Sequence, residues 1–135
     1  MRASDLWLFL PFGYALTVLL ETPVLAVALS RRHTLRRRLL AGLWLTACTY
    51  PVVVLVLPLI LEGYSRAAYL TVAEIFAPAA ECALFLAAFG LGGGGGRRDA
   101  LRDCAAITAA NLLSFGAGEV LGAFGWLGLF SAAAK

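Results

Sequence analysis

The stretch "LLETPVLAVALSRRHTLRRRLL", Leu19 to Leu40, sets the architecture of the chain. It is an apolar run carrying one carboxylate, Glu21, and one proline, Pro23. It then breaks into five arginines within eight residues before turning apolar again. A surface helix of a soluble domain would place a polar face toward water at every turn, and this stretch has none. Two membrane spans joined by a short basic turn account for it.

The remainder of the 135 residues follows the same rule. Hydrophobic residues make up 61% of the chain and the mean hydropathy is +0.86, which excludes an ordinary soluble domain. Charges gather in short patches between apolar stretches close to the spanning length of about 20 residues. Four spans are predicted, Leu6 to Leu29, Leu39 to Leu61, Ala67 to Leu91 and Ala105 to Phe130. The expected fold class is all-α, a four-helix transmembrane bundle forming a single membrane domain over 1–135. The first span carries Glu21 and Pro23 and is followed by arginines, not by a small-residue cleavage site, so it reads as a retained span and not a signal peptide.

Orientation follows from the bases. Arg31, Arg32, Arg36, Arg37 and Arg38 fill the first connection and Arg97, Arg98 and Arg102 the third, against Arg2, Arg66 and Lys135 on the other side. The positive-inside rule assigns the two Arg-rich connections to the cytoplasm of a bacterial inner membrane and both termini to the outside. A net charge of +3 then needs no nucleic acid to explain it, because anionic headgroups already meet these arginines. The glycines Gly92 to Gly96 lack the Lys-Ser/Thr ending of a phosphate-binding loop and read as a linker. Cys48, Cys82 and Cys104 lie in different segments without CxxC spacing and read as small hydrophobes. His33, in the basic turn, is expected to be solvated.

An internal repeat is visible. "TACTYP" (Thr46 to Pro51) aligns with "NLLSFG" (Asn111 to Gly116) at an offset of 65 residues, and Glu21 aligns with Glu81 at an offset of 60. Each half, about 1–62 and 63–135, then holds a helix with a Glu, a basic turn, and a helix with an amide or hydroxyl. Two spans per half give both copies the same orientation, so the bundle reads as two parallel helix-hairpin repeats.

At 100° per residue the polar residues fall on one face of each helix: Tyr14, Thr17 and Glu21; Gly42, Thr46, Thr49 and Tyr50; Thr71, Glu74, Pro78 and Glu81; Asn111, Ser114, Gly118 and Gly122. Lipid penalises such stripes, so they are expected to converge. Counting about 1.5 Å per residue from the basic turns puts Glu21, Glu81, Thr46 and Asn111 at one depth, with Glu74 and Glu119 farther out. All eleven bases fall outside the four spans, which leaves these glutamates without an intramembrane cation. A carboxyl so placed takes a proton, holds a cation or faces water, and burying it costs at least about 2–3 kcal/mol. A structural role stands beside this: Pro23, Pro51 and Pro78 free backbone carbonyls that a protonated Glu or a Thr satisfies. Ala79, Ala83 and Ala87 form a small-residue ridge, and Gly118 with Gly122 a GxxxG pair, for helix packing or oligomerisation. Trp7 and Trp126 suit an outer aromatic belt, with Trp44 deeper.

"TACTYP" and "NLLSFGAG", each following a Glu-bearing helix, resemble the N-x-x-T-x-P and N-x-x-S-F-x-x-G patterns of small uncharacterised bacterial four-helix integral membrane proteins. Thr46 stands where that pattern has Asn. The resemblance implies the four-span fold and brings no activity with it.

Two functions are expected. One is a small transporter or channel-like protein for protons or a small cation, with Glu21, Glu81, Thr46 and Asn111 as inner site and Glu74 and Glu119 as outer. The alternative is a non-catalytic accessory or assembly subunit of a membrane protein complex. No HExxH, GxSxG or paired intramembrane Asp occurs, so the reading is not an enzyme, and no cofactor is called for. Whether a metal binds is left open. The expected partners are the lipid bilayer and either a second copy or another membrane protein, since four helices are few to enclose a pathway.

Overall fold

The computed structural model describes residues 3–90 and 96–124, with side chains from residue 10 onward. Leu91, Gly92 to Gly95, the expected span end at Phe130, Arg2, Trp126 and Lys135 lie outside the described residues, as does the side chain of Trp7. Among the described residues five α-helices form: α1 (Ala3–Ala28), α2 (Leu35–Pro51), α3 (Leu57–Ile60), α4 (Arg66–Phe89) and α5 (Arg97–Ala123), with a π-helical turn at Val52–Val56 between α2 and α3. There is no strand among the described residues.

The helix ends have local causes. Thr34 caps α2 by accepting from the Arg37 N–H at 3.3 Å, and Ser65 caps α4 by accepting from Ala68 at 3.2 Å. Gly63, at φ +89°, makes the sharp turn between α3 and α4 that a side chain would strain. The π turn sits between Pro51 and Pro58, where a proline ring and its missing N–H disturb the α-helical ladder. Tyr69 donates its hydroxyl to the Val53 carbonyl inside this turn, at 3.1 Å. α2, the π turn and α3 therefore run on as one span.

Among the described residues, four helices are long and apolar enough to cross a membrane: Leu10–Ala28, Leu35–Ile60, Arg66–Phe89 and Arg97–Ala123. The last begins eight residues before the expected start at Ala105. Arg97, Arg98, Asp99, Arg102 and Asp103 are helical, not part of a loop, and Arg36 to Arg38 likewise sit on the first turn of α2. Large apolar side chains such as Leu19, Val27, Leu59 and Ile75 face outward, an arrangement that suits hydrocarbon and not water. The chain is a multi-pass membrane protein by these features.

The helices form a square in which α1 touches α2 and α5, and α4 touches α5 and α2. Its dry core lies toward the Arg-rich end, where Leu25, Leu29, Leu45, Phe85, Ile107 and Ala110 pack together. α1 and α2 pack tightly at Thr22 and Gly42, where a Cβ on Gly42 would lie 2.9 Å from the Thr22 Cα. Gly118 makes no such approach, since a Cβ there would meet nothing. The Ala79, Ala83 and Ala87 ridge faces away from the bundle. Cys48 is exposed, not buried.

Gly42→Leu is expected to destabilise the detergent-solubilised protein by about 1–3 kcal/mol through this overlap. Gly118→Ala, with open space around it, is expected to leave stability unchanged or slightly raised. Thermal unfolding of both variants checks the contrast.

Candidate functional site

Halfway along the bundle the four stripes meet around two carboxyl groups. Glu21 on α1 and Glu81 on α4 are each only 2% exposed. Glu21 accepts from the Thr46 hydroxyl on α2 at 3.0 Å and from the Ser114 hydroxyl on α5 at 2.6 Å. Glu81 accepts from the Thr49 hydroxyl on α2 at 2.6 Å and from the Asn111 amide on α5 at 2.7 Å. Each carboxyl thus spans the two helices beside its own, and all four oxygens have a partner. Among the described residues neither forms an ion pair.

The hydroxyl partners have a second option. Thr46 lies 2.7 Å from the Gly42 carbonyl, Thr49 3.1 Å from that of Leu45, and Ser114 3.0 Å from that of Asn111. A hydroxyl has one hydrogen and two lone pairs. Pointed at an ionised carboxylate it donates; turned to its own helix it leaves its oxygen free to accept from a protonated carboxyl. Asn111 has two hydrogens and uses the other on the Ile107 carbonyl at 3.1 Å, so it is a fixed donor. A proton on Glu81 therefore fits on Oε1, toward Thr49, while Glu21 has a reversible partner on both oxygens.

The two glutamates lie at the inner end of a cavity of about 410 Å³ whose wall is shared by α1, α2, α4 and α5. Glu74 and Glu119 also line it, so the expected inner and outer residues border one space. Glu119 is not without a cation: both its oxygens lie 2.8 Å from Arg66 Nη2, in an exposed pair. The expectation overlooked that Arg66, at the start of α4, and Glu119, in the last turns of α5, share one end of the bundle. Thr71 is exposed and donates to the Ala67 carbonyl, outside the site.

Beyond the glutamates, the Arg-rich end is closed. Asp103, fully buried on α5, accepts from the Ser30 N–H at 2.7 Å, the Ser30 hydroxyl at 3.1 Å and Arg32 Nη2 at 3.1 Å. His33 Nε2 lies 3.0 Å from the same carboxylate. Contrary to the expectation for a basic turn, His33 is 2% exposed, packed edge-on against Phe85 with ring centroids 5.0 Å apart. Arg32 also donates to the Gly90 carbonyl, Arg38 to those of Ala26 and His33, and Arg102 to that of Ala28. The arginines of the turn thus tie helix ends together in addition to carrying charge. Trp44 is partly exposed and stacks edge-on with Phe89 at 6.1 Å.

Thr49 and Ser114 belong with the site as much as Thr46 and Asn111 do, and the repeat alignment held the signal, since Thr49 and Ser114 are aligned there. Asp103 carried a fainter signal, an acid one helical turn after Asp99 amid arginines. Among the described residues, no three His, Cys, Asp or Glu side chains gather to hold a metal ion. Comparison with known proteins adds no relative: no family model, curated protein or solved structure matches the chain.

Asp103→Ala strands Arg32, His33 and Ser30 at a buried point and is expected to cost about 3–5 kcal/mol. Ser30→Ala removes one hydroxyl donor to that carboxylate and leaves the others, and should cost less, about 1.5–3 kcal/mol. Denaturant titration of both variants in detergent separates a buried charge cluster from incidental contacts.

Proposed function

We propose that the chain is a small transporter or channel-like protein for protons or a small cation, with Glu21 and Glu81 as its binding groups. The observation that carries this is the pair of buried carboxyls at the closed end of a cavity, held by hydroxyls that can reverse. Such a site accommodates the ionised and the protonated carboxyl without moving its heavy atoms. A purely structural glutamate needs only one of these states. An ionisable group at this depth, facing a cavity, follows the pattern of proton and ion pathways in membranes.

In this reading Thr46, Thr49, Asn111 and Ser114 hold the carboxyls, and Glu74 and Glu119 line the approach. The cavity is bordered at its far end by Arg66 and Glu119, and the packed core with the Asp103 cluster closes the other end. Passage then requires the Arg-rich end to loosen, as alternating access around a central site demands.

The two halves act as parallel repeats in this reading. Support comes from the hydrogen bonds themselves. Thr46 to Glu21 corresponds to Asn111 to Glu81 within the halves, and Thr49 to Glu81 corresponds to Ser114 to Glu21 between them. Even the back-bonds correspond, since Gly42 and Ile107 stand at the same offset of 65 residues as Thr46 and Asn111. The arginine asymmetry supports placement in a bacterial inner membrane with the Arg-rich turns cytoplasmic and the termini outside. A second reading, assembly with another copy or a partner membrane protein, is favoured by the outward-facing Ala79, Ala83 and Ala87 ridge.

Proton and monovalent-cation flux into liposomes containing the purified chain tests the proposal. Flux above that of empty liposomes is expected, falling to background in Glu81→Gln and in Glu21→Gln while both variants remain folded. Absence of flux across a pH range, with insertion verified, overturns it in favour of the assembly role.

A further inference from the structure

The cavity holds more than the carboxyls need. A bare proton or alkali ion at Glu21 and Glu81 would leave nearly all of its 410 Å³ unused. That volume is about a dozen times the roughly 30 Å³ share of one water. Water is a poor filling for much of it. Leu16, Val53, Leu70, Ala73, Ala77 and Phe115 present apolar wall, and an ordered water needs two to four polar partners.

Two tyrosines and a phenylalanine add a further property. Tyr50, Tyr69 and Phe115 border the same space as the carboxyls. Tyr69 is anchored by its hydroxyl to Val53, and Tyr50 packs edge-on against Tyr14 with centroids 6.3 Å apart. Aromatic walls near anionic groups suit a positive charge carried on carbon, which is weakly hydrated and attracted to ring faces. Charge selects in the same direction. Among the described residues, the lining contains four carboxyl side chains, Glu21, Glu74, Glu81 and Glu119, and one base, Arg66, which Glu119 already engages.

We infer that the cavity binds a monovalent organic cation, an ammonium group carrying an apolar body, with the nitrogen toward Glu21 and Glu81 and the body along Tyr50, Tyr69 and Phe115. This rests on the reading of the two glutamates as the cation site and names the class of ligand. Such a cation replaces a proton as the positive charge at the carboxyls. The hydroxyls of Thr46, Thr49 and Ser114 then turn to donate to the carboxylate oxygens.

The test is equilibrium dialysis of the full chain in detergent against benzyltrimethylammonium, with neopentylbenzene as a probe of the same shape and no charge. Liposome flux of protons is measured on the same preparation. Saturable binding of one benzyltrimethylammonium per chain is expected, at least about tenfold tighter than the neutral probe, a difference of about 1.4 kcal/mol. Glu81→Gln and Phe115→Ala should each weaken it by about tenfold or more. Phe115→Ala should keep the Glu81-dependent proton flux, which separates the ligand class from the proton route. Equal binding of charged and neutral probes, or binding indifferent to Glu81→Gln in folded protein, overturns the inference. Glu81-dependent proton flux without benzyltrimethylammonium binding overturns it while the proton reading stands; absence of both removes the two together.

Discussion

Two carboxyl groups buried in a membrane bundle, with no cationic side chain beside them among the described residues, constrain the rest of this structure. A carboxyl in a medium of low dielectric has to be hydrogen-bonded on every side. Here each is served by donors from both adjacent helices, so Glu21 joins α1 to α2 and α5, and Glu81 joins α4 to the same two. The polar layer therefore fixes helix order, rotation and depth at once. Apolar packing between helices has little preference of its own in lipid, where tails are as apolar as leucine. The four bonds supply the specificity that packing lacks.

The two ends of the bundle differ for a related reason. Toward the Arg-rich end, Leu25, Leu29, Leu45, Phe85 and Ile107 pack together with 1% exposure or less, and Asp103 collects the donors of the α1 to α2 connection. Toward the other end the helices border the cavity, and the ion pair there among the described residues, Arg66 with Glu119, is exposed. An exposed pair of that kind contributes little stability and separates easily, whereas the Asp103 cluster is buried and costly to break. The asymmetry defines which end has to change if a solute is to pass.

Reversible hydroxyls connect structure to chemistry. Threonine and serine in membrane helices commonly bond back to a carbonyl three or four residues earlier. Thr46, Thr49 and Ser114 lie within hydrogen-bond distance of both such a carbonyl and a carboxyl oxygen, and the one hydrogen of each serves either. The heavy-atom geometry therefore fits either an ionised or a protonated carboxyl. Asn111, with two hydrogens and two acceptors, lacks this freedom and gives the layer its fixed point.

Much of this was legible in the sequence. Length, apolar runs and arginine clusters determine four spans, because the hydrocarbon thickness and the cost of charge within it leave few alternatives. Helical periodicity was enough to place Glu21, Thr46, Glu81 and Asn111 on inward stripes, since a polar stripe has nowhere else to go. Three things were decided only by the tertiary structure. The pairing of Thr49 with Glu81 and of Ser114 with Glu21 depends on which helices are neighbours, and local sequence carries no such information. His33 reads as a solvated residue of a basic turn, and its burial depends on α5 beginning at Arg97, which carries Asp103 beneath that turn. The cavity has no sequence signature at all, because empty volume is the difference between helix separation and side-chain size, and both are fixed only when the whole bundle is assembled.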